Sequence, residues 1–178
     1  MDIISRATGR RKTVEQAVDW ELVYRELVPK IYKFFCYQVG NRDIAEDLMA
    51  TTFERAWHGR SRFSHELGDF SNWLFGIARN VSIDYIRSKR STVSIEEIIP
   101  LSTKESLELS VERKSEFERL YFLLERLEER ERTLISLKYG AGFNNRRISE
   151  ITGLSESNVG TILHRVVIRL RGQWEDES

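Results

Sequence analysis

The side chains best suited to chemistry in this 178-residue chain are polar and basic residues set at helical spacing. Ser157, Asn158, Thr161, His164 and Arg165 recur at one-turn spacing, with Arg169 and Arg171 further along the same stretch. Asn pairs bidentately with adenine, Arg with guanine, and Ser or Thr with several base edges or phosphates. A second set, Arg79, Asn80, Arg87 and Arg90, lies on one helical face with Gly76 and Ile83. From Arg79 to Arg90 that face would run about 16 Å at 1.5 Å per residue, enough to follow several phosphates. Trp73 and Phe75 adjoin it, near Phe63 and Phe70 in the preceding loop. Aromatics among basic residues suit stacking on unpaired bases, although at helical spacing they are more often core, which is the expectation for Trp73 and Phe75 taken alone. A third set is acidic: Asp43, Glu46, Asp47 and Glu54. It either favours a helix dipole or forms a docking face for a basic partner.

The first set needs a helix-turn-helix to hold it. In residues 156–171, Val159, Ile162, Leu163, Val166, Val167 and Leu170 follow the i, i+3, i+4, i+7 spacing of one buried helical face. A shorter helix precedes it with Ile148 and Ile151 inward. Gly153 suits the left-handed residue that ends this first helix, and Ser155 the N-cap of the second. Two helices joined by a short Gly-containing turn form the helix-turn-helix signature, whose second helix reads bases with its N-terminal residues. The plain alternative is an αα-hairpin from any bundle with a solvated polar face. Break, cap, stripe and basic flank together favour DNA.

The rest of the chain reads as helices and connections, with no segment of strand period. Residues 1–19 carry Arg6, Arg10, Arg11 and Lys12 without periodicity and read as a flexible arm. A helical pattern over Trp20–Val39 contains Pro29, which predicts a kink or boundary near Val28. A helix capped by Asn41 or Asp43 runs to about Trp57, with Ile44, Ala45, Leu48, Thr52, Phe53 and Trp57 expected inward. After a polar loop, Ser71 is expected to cap a helix over 72–90 with Leu74, Ile77, Ala78, Val81 and Tyr85 in the core. Residues 92–115 hold Pro100 and an excess of Glu and read as an acidic linker. Helices from residue 116 and over 129–139 lead through Gly140-Ala141-Gly142 into the helix-turn-helix, and Glu175-Asp176-Glu177 form an acidic tail.

Charge and composition narrow the function classes. The 28 Lys and Arg balance 28 Asp and Glu, which argues against a nonspecific DNA coater, yet the positives concentrate in 79–90 and 144–172. A single cysteine, Cys36, excludes an internal disulfide framework and a multi-Cys zinc site, and it reads as a small core residue. His58 and His65 have no partner spacing for a metal. No apolar run is long enough to cross a bilayer, and no signal peptide follows Met1. No metal, cofactor or catalytic residue is expected, and no carboxylate cluster or nucleophile–base pair supports an enzyme such as a nuclease.

Two stretches together resemble a known family. NRDIAEDLMATTFERAW (residues 41–57) followed by FSNWLFGIARNVSIDYIRSKR (70–90) resembles domain 2 of bacterial sigma factors of the sigma-70 family, extracytoplasmic-function group. LEERERTLISLKYGAGFNNRRISEITGLSESNVGTILHRVVIRLR (127–171) resembles their domain 4, and an acidic linker lies between. The resemblance implies an all-α chain of two small helical domains, 20–91 and 116–172, joined by a flexible acidic linker over 92–115. It implies docking on core RNA polymerase through Asp43, Glu46, Asp47 and Phe53. Melting and capture of the −10 element would fall to the loop 61–69 with Asn72, Trp73, Arg79, Asn80, Arg87 and Arg90. Reading of the −35 element would fall to Ser157, Asn158, Thr161, His164, Arg165 and Arg169. It also implies promoter DNA as partner, an anti-sigma protein as inhibitor, and a bacterial cytoplasmic location. The chain departs from the family's habits at Ala50-Thr51, where a polar pair is usual, and at Gly160 and Ile162, where Lys and Arg are frequent. The alternative function is a stand-alone helix-turn-helix regulator that binds duplex DNA without polymerase.

Overall fold

The computed structural model describes residues 20–64, 68–92 and 111–176. The arm 1–19, the linker over 93–110, residues 65–67 with His65, residues 177–178 and the side chain of Arg90 lie outside the described residues. Within them the chain is helical and contains no strand. Helix α1 spans Trp20–Val39, α2 Arg42–Gly59, and a short 3₁₀ turn Arg60–Arg62 follows. Helix α3 is Phe70–Thr92, α4 Val111–Glu125, α5 Glu129–Ile135, α6 Asn145–Thr152 and α7 Glu156–Asp176.

Side-chain caps start the helices where the sequence offers them. Asn41 Oδ1 accepts from the Ile44 amide at 3.0 Å, and Asn144 Oδ1 from the Arg147 amide at 2.9 Å. Helix α3 begins two residues before the expected start: Asp69 Oδ1 accepts from the Ser71 amide at 2.7 Å, so Asp69, not Ser71, supplies the cap. Pro29 does not break α1. It lies on the exposed side of the helix, while Leu27, Ile31, Phe34 and Phe35 hold both halves on the core.

The expected helix over 129–139 changes gauge within itself. After Ile135 it widens into a π turn, Ser136–Gly140, in which the Ala141 amide reaches the Ser136 carbonyl at 2.9 Å. Trp57 is also placed differently from expectation: it is 49% exposed, with the Arg60 guanidinium 4.2 Å above its ring. Ala45, Thr52 and Ala56 are the buried residues of α2, and one step of about 100° past Ala56 turns Trp57 out of the core. Phe75 is fully buried, so it belongs to the core and offers no ring for base stacking.

The helices 20–92 and 111–176 share a continuous core. Phe34 of α1 meets Phe35 and Phe75 edge-on at 5.2 and 5.9 Å between ring centres. Phe75 in turn meets Phe143, beyond the π turn, at 4.7 Å. Each fully buried ring of this kind contributes about 1.5–3 kcal/mol of hydrophobic stabilisation. A buried polar chain crosses the same seam: Ser82 Oγ donates to Gln38 Oε1 at 3.0 Å, Gln38 Nε2 donates to Ser136 Oγ at 3.1 Å, and Ser136 Oγ donates to the Arg132 carbonyl at 2.8 Å. Both ends of the Gln38 amide are therefore paired, which is what burial of an amide requires.

Candidate nucleic-acid interface

Helix α7 owes its orientation to local chemistry. Gly153 ends α6 in the left-handed region at φ 74°, and its amide reaches the Ser149 carbonyl at 2.8 Å. Ser155 Oγ then accepts from the Asn158 amide at 3.2 Å and starts α7. Val159, Ile162, Leu163 and Val166 are buried, with Val167 and Leu170 half-buried beside them. This turns Ser157, Asn158, Thr161, His164 and Arg165 outward, and all five are exposed. Thr161 Oγ1 donates to the Ser157 carbonyl at 3.0 Å, which leaves its oxygen free to accept. Arg169 lies farther along and is paired with Glu131 of α5. Gly160 faces away from this surface: a Cβ there would lie 3.4 Å from Asn145 Nδ2 on α6. Ile162 is core, so the departures at 160 and 162 fall off the outward face.

On α3, Asn80 and Arg87 are exposed and Arg79 is half-buried. Trp73 is half-buried against Phe63 and Phe70, at 5.5 and 5.3 Å between ring centres. Asn72 is drawn off the open face: its Nδ2 donates to Glu150 Oε2 of α6 at 3.0 Å, while its Oδ1 is buried with no hydrogen-bond partner. Next to it Asp69 Oδ1 accepts from Arg147 Nη2 at 2.5 Å. Sequence reasoning missed this pair of contacts, since nothing local marks residues 78 positions apart as neighbours.

On α2, Asp43, Glu46 and Asp47 are exposed and carry no basic side chain against them in any ion pair of the described residues. Phe53 is half-buried, its ring 5.5 Å from that of Tyr24. Ala50 is exposed, and Thr51 Oγ1 donates to the Asp47 carbonyl at 2.9 Å, so neither presents a polar group of the kind the family usually places there. Among the described residues no cluster of His, Cys, Asp and Glu could hold a metal, and no helix is long and apolar enough to cross a membrane.

The chain thus presents an acidic helix, a basic helix beside aromatics, and a capped helix-turn-helix. Comparison with known proteins meets the same division. Residues 23–92 match the family described as Sigma-70 region 2, and residues 117–170 match Sigma-70, region 4. The ECF RNA polymerase sigma factor SigW of Bacillus subtilis (strain 168) is 30% identical over 167 residues, covering 83% of this chain and 84% of its own. SigM of the same organism is 29% identical over 153 residues, covering 85% of this chain and 93% of its own. The fold is shared with the sigma factor RpoE in its complex with the anti-sigma factor NepR from Bartonella quintana, at a TM-score of 0.66 and 21% identity over 88% of this chain and 97% of that one. Two regions matched in the family's order, by relatives that span most of both chains, leave one conclusion: the chain belongs to the extracytoplasmic-function group of RNA polymerase sigma factors, in the sigma-70 family.

Proposed function

We propose that this sigma factor, which binds core polymerase and directs it to promoters without catalysis of its own, divides that work among three surfaces. Asp43, Glu46 and Asp47 of α2, with Phe53 beside them, dock on polymerase core. Trp73, Arg79, Asn80, Arg87 and Arg90 of α3, with Asn72 once it is released, take the −10 element. Ser157, Asn158, Thr161, His164 and Arg165 of α7 read the −35 element in the major groove. Arg169 contributes at the rim, in exchange for its pairing with Glu131.

The observation that carries this reading is the outward, unshared polar face of α7 opposite a fully buried stripe, on a helix whose entry is set by Gly153 and Ser155. A stand-alone regulator would have no use for the acidic α2 face. The working units are 20–91 and 116–172, and the work itself places the protein in the bacterial cytoplasm, where polymerase is. An anti-sigma factor is a further partner; such a protein is bound to RpoE in the related structure. The test is promoter selection from a genomic library with reconstituted holoenzyme, followed by Asn158→Ala and Arg165→Ala. Each loss of a bidentate base contact is expected to cost about 1–3 kcal/mol of discrimination and to relax the sequence at one position of the −35 element. Unchanged selectivity in both variants would remove α7 from the reading role.

A further inference from the structure

We infer that a cavity where α1, α4 and the C-terminal half of α7 meet is a binding site for a small amphiphilic carboxylate, whose apolar tail fills the cavity and whose head meets Arg171 at its mouth. The inference stands apart from promoter reading, since none of the outward residues 157–165 of α7 lines this cavity.

The cavity is framed by aromatic residues on three elements. Helix α4 packs on both α1 and α7. Tyr37 of α1 meets Phe117 of α4 edge-on at 6.2 Å between ring centres. Arg119 of α4 lies 4.2 Å over the ring of Trp174 on α7 and donates through Nη2 to the Trp174 carbonyl at 2.5 Å. Tyr37 and Trp174, each fixed in this way, line a cavity of about 280 Å³ together with Leu123, Leu124, Ile135, Val167 and Leu170. Leu123, Leu124 and Ile135 are buried core residues, so this part of the wall is rigid.

Size and lining set the tail of the occupant. Voids larger than a water molecule are few in a packed domain, and an apolar one offers water no partners. An engineered cavity of about 150 Å³ takes up benzene, and drug-sized pockets begin near about 300 Å³, so this one suits about ten to fifteen non-hydrogen atoms. Its lining is almost wholly apolar. Burial pushes the Tyr37 hydroxyl up from its ordinary value, in keeping with a dry wall.

Charge sets the head. A polar group on the occupant has to sit where the cavity meets water, and two lining residues are exposed there, Tyr139 at 53% and Arg171. Arg171 lends its stem to the lining and keeps its guanidinium in solvent. Among the described residues it has no ion pair; Glu175, one turn on, does not hold it, whereas Arg169, two residues back, is spent on Glu131. The guanidinium fork matches a carboxylate bidentately, and the Tyr139 hydroxyl, also without a side-chain partner among the described residues, is a second donor at the same mouth. The lining contains no acidic side chain, so a cationic head would find only repulsion.

The test titrates the full chain with three probes of one tail and different heads: octanoate, octan-1-ol and octylammonium. Two-dimensional NMR of the labelled protein locates and measures binding. Octanoate should bind saturably with a Kd of about 1 mM or tighter, shifting Leu124, Val167 and Trp174, and the order should be octanoate, octanol, octylammonium. Arg171→Ala, at an exposed position outside the reading and docking surfaces, should weaken octanoate about three- to tenfold and leave octanol within about twofold. Leu170→Trp should fill the cavity and abolish both; if that variant fails to fold by circular dichroism, the wild-type shift map carries the location alone. Equal binding of the three heads, or an octanoate affinity that Arg171→Ala does not change, overturns the carboxylate assignment. Shifts that do not saturate by about 10 mM, or that map elsewhere, overturn the site and leave the cavity to a side chain of a protein partner. Promoter selection by the holoenzyme is read separately, so failure of the reading assigned to α7 and failure of this site are distinguishable.

Discussion

Gly160 offers a perturbation whose sign the structure decides. It sits inside α7, where a glycine costs about 0.8–1 kcal/mol relative to alanine through lost backbone entropy. Set against that gain is the space available. The one neighbour a Cβ would meet is Asn145 Nδ2 at 3.4 Å, an ordinary contact with the end of a side chain. That side chain is held by Lys138, whose Nζ donates to Asn145 Oδ1 at 3.0 Å, and it has no need to move. Propensity therefore wins, and Gly160→Ala is expected to stabilise the protein by about 0.5–1 kcal/mol. For a chain of this size that is about 1–4 °C in Tm. Urea unfolding should show the midpoint rising with an unchanged slope, the mark of altered stability without altered compactness. A fall in stability would refute the reasoning and mean that α6 and α7 approach more closely than this. Asn145→Ala would then locate the clash: the alanine at 160 should become favourable once that side chain is gone.

Other perturbations test neighbouring steps. Gly153→Ala places a Cβ at φ 74° with no atom within 4 Å, so backbone strain acts alone, and denaturation should show a loss of about 1–2 kcal/mol, smaller for Gly153→Asn. Gln38→Ala removes both side-chain bonds of a residue that is 1% exposed and leaves a cavity, at a cost of about 2–4 kcal/mol by the same assay. Burial pushes the Tyr121 hydroxyl up from 10.0 to about 12, and burial, with the hydrogen bond that the Tyr32 hydroxyl donates to Cys36, does the same for Tyr32. A raised pKa in the folded state means that the folded chain holds its proton longer, so stability is intact below about pH 10 and falls as pH rises towards 12. Ultraviolet titration of the folded protein should find these two phenols ionising last; ionisation of both near 10 would show that the sites are wet.

How much of this was legible in the sequence follows from how local each determinant is. The turn from α6 to α7 was readable because Gly153, Ser155 and the apolar stripe act within a few residues of one another, and the structure uses each as its type suggests. Trp57 was misplaced because its apolar character outweighed its angular position, which Ala56 occupies instead. Pro29 allowed either a kink or a boundary near Val28, and there is no boundary: α1 runs through it, with Pro29 on the exposed side. The π turn left no pattern, since one added residue in a helix changes no residue type. Least visible was the association of the two halves. Gln38 and Ser136 are 98 positions apart, and the polar character that pairs them would suit a surface equally well. For the same reason Asn72 could be marked as a base reader from its neighbours, while its bond to Glu150 could not be foreseen.

The central claim is that this chain acts through polymerase. Its most direct test is binding of purified protein to bacterial core RNA polymerase, with run-off initiation on a selected promoter, for wild type and Asp47→Arg. Asp47 is exposed on α2, so the reversal should spare the fold. The account predicts that wild type binds core and initiates, and that Asp47→Arg loses both while still binding a −35 duplex. A wild-type protein that neither binds core nor directs initiation, yet retards duplex DNA by itself, would contradict it.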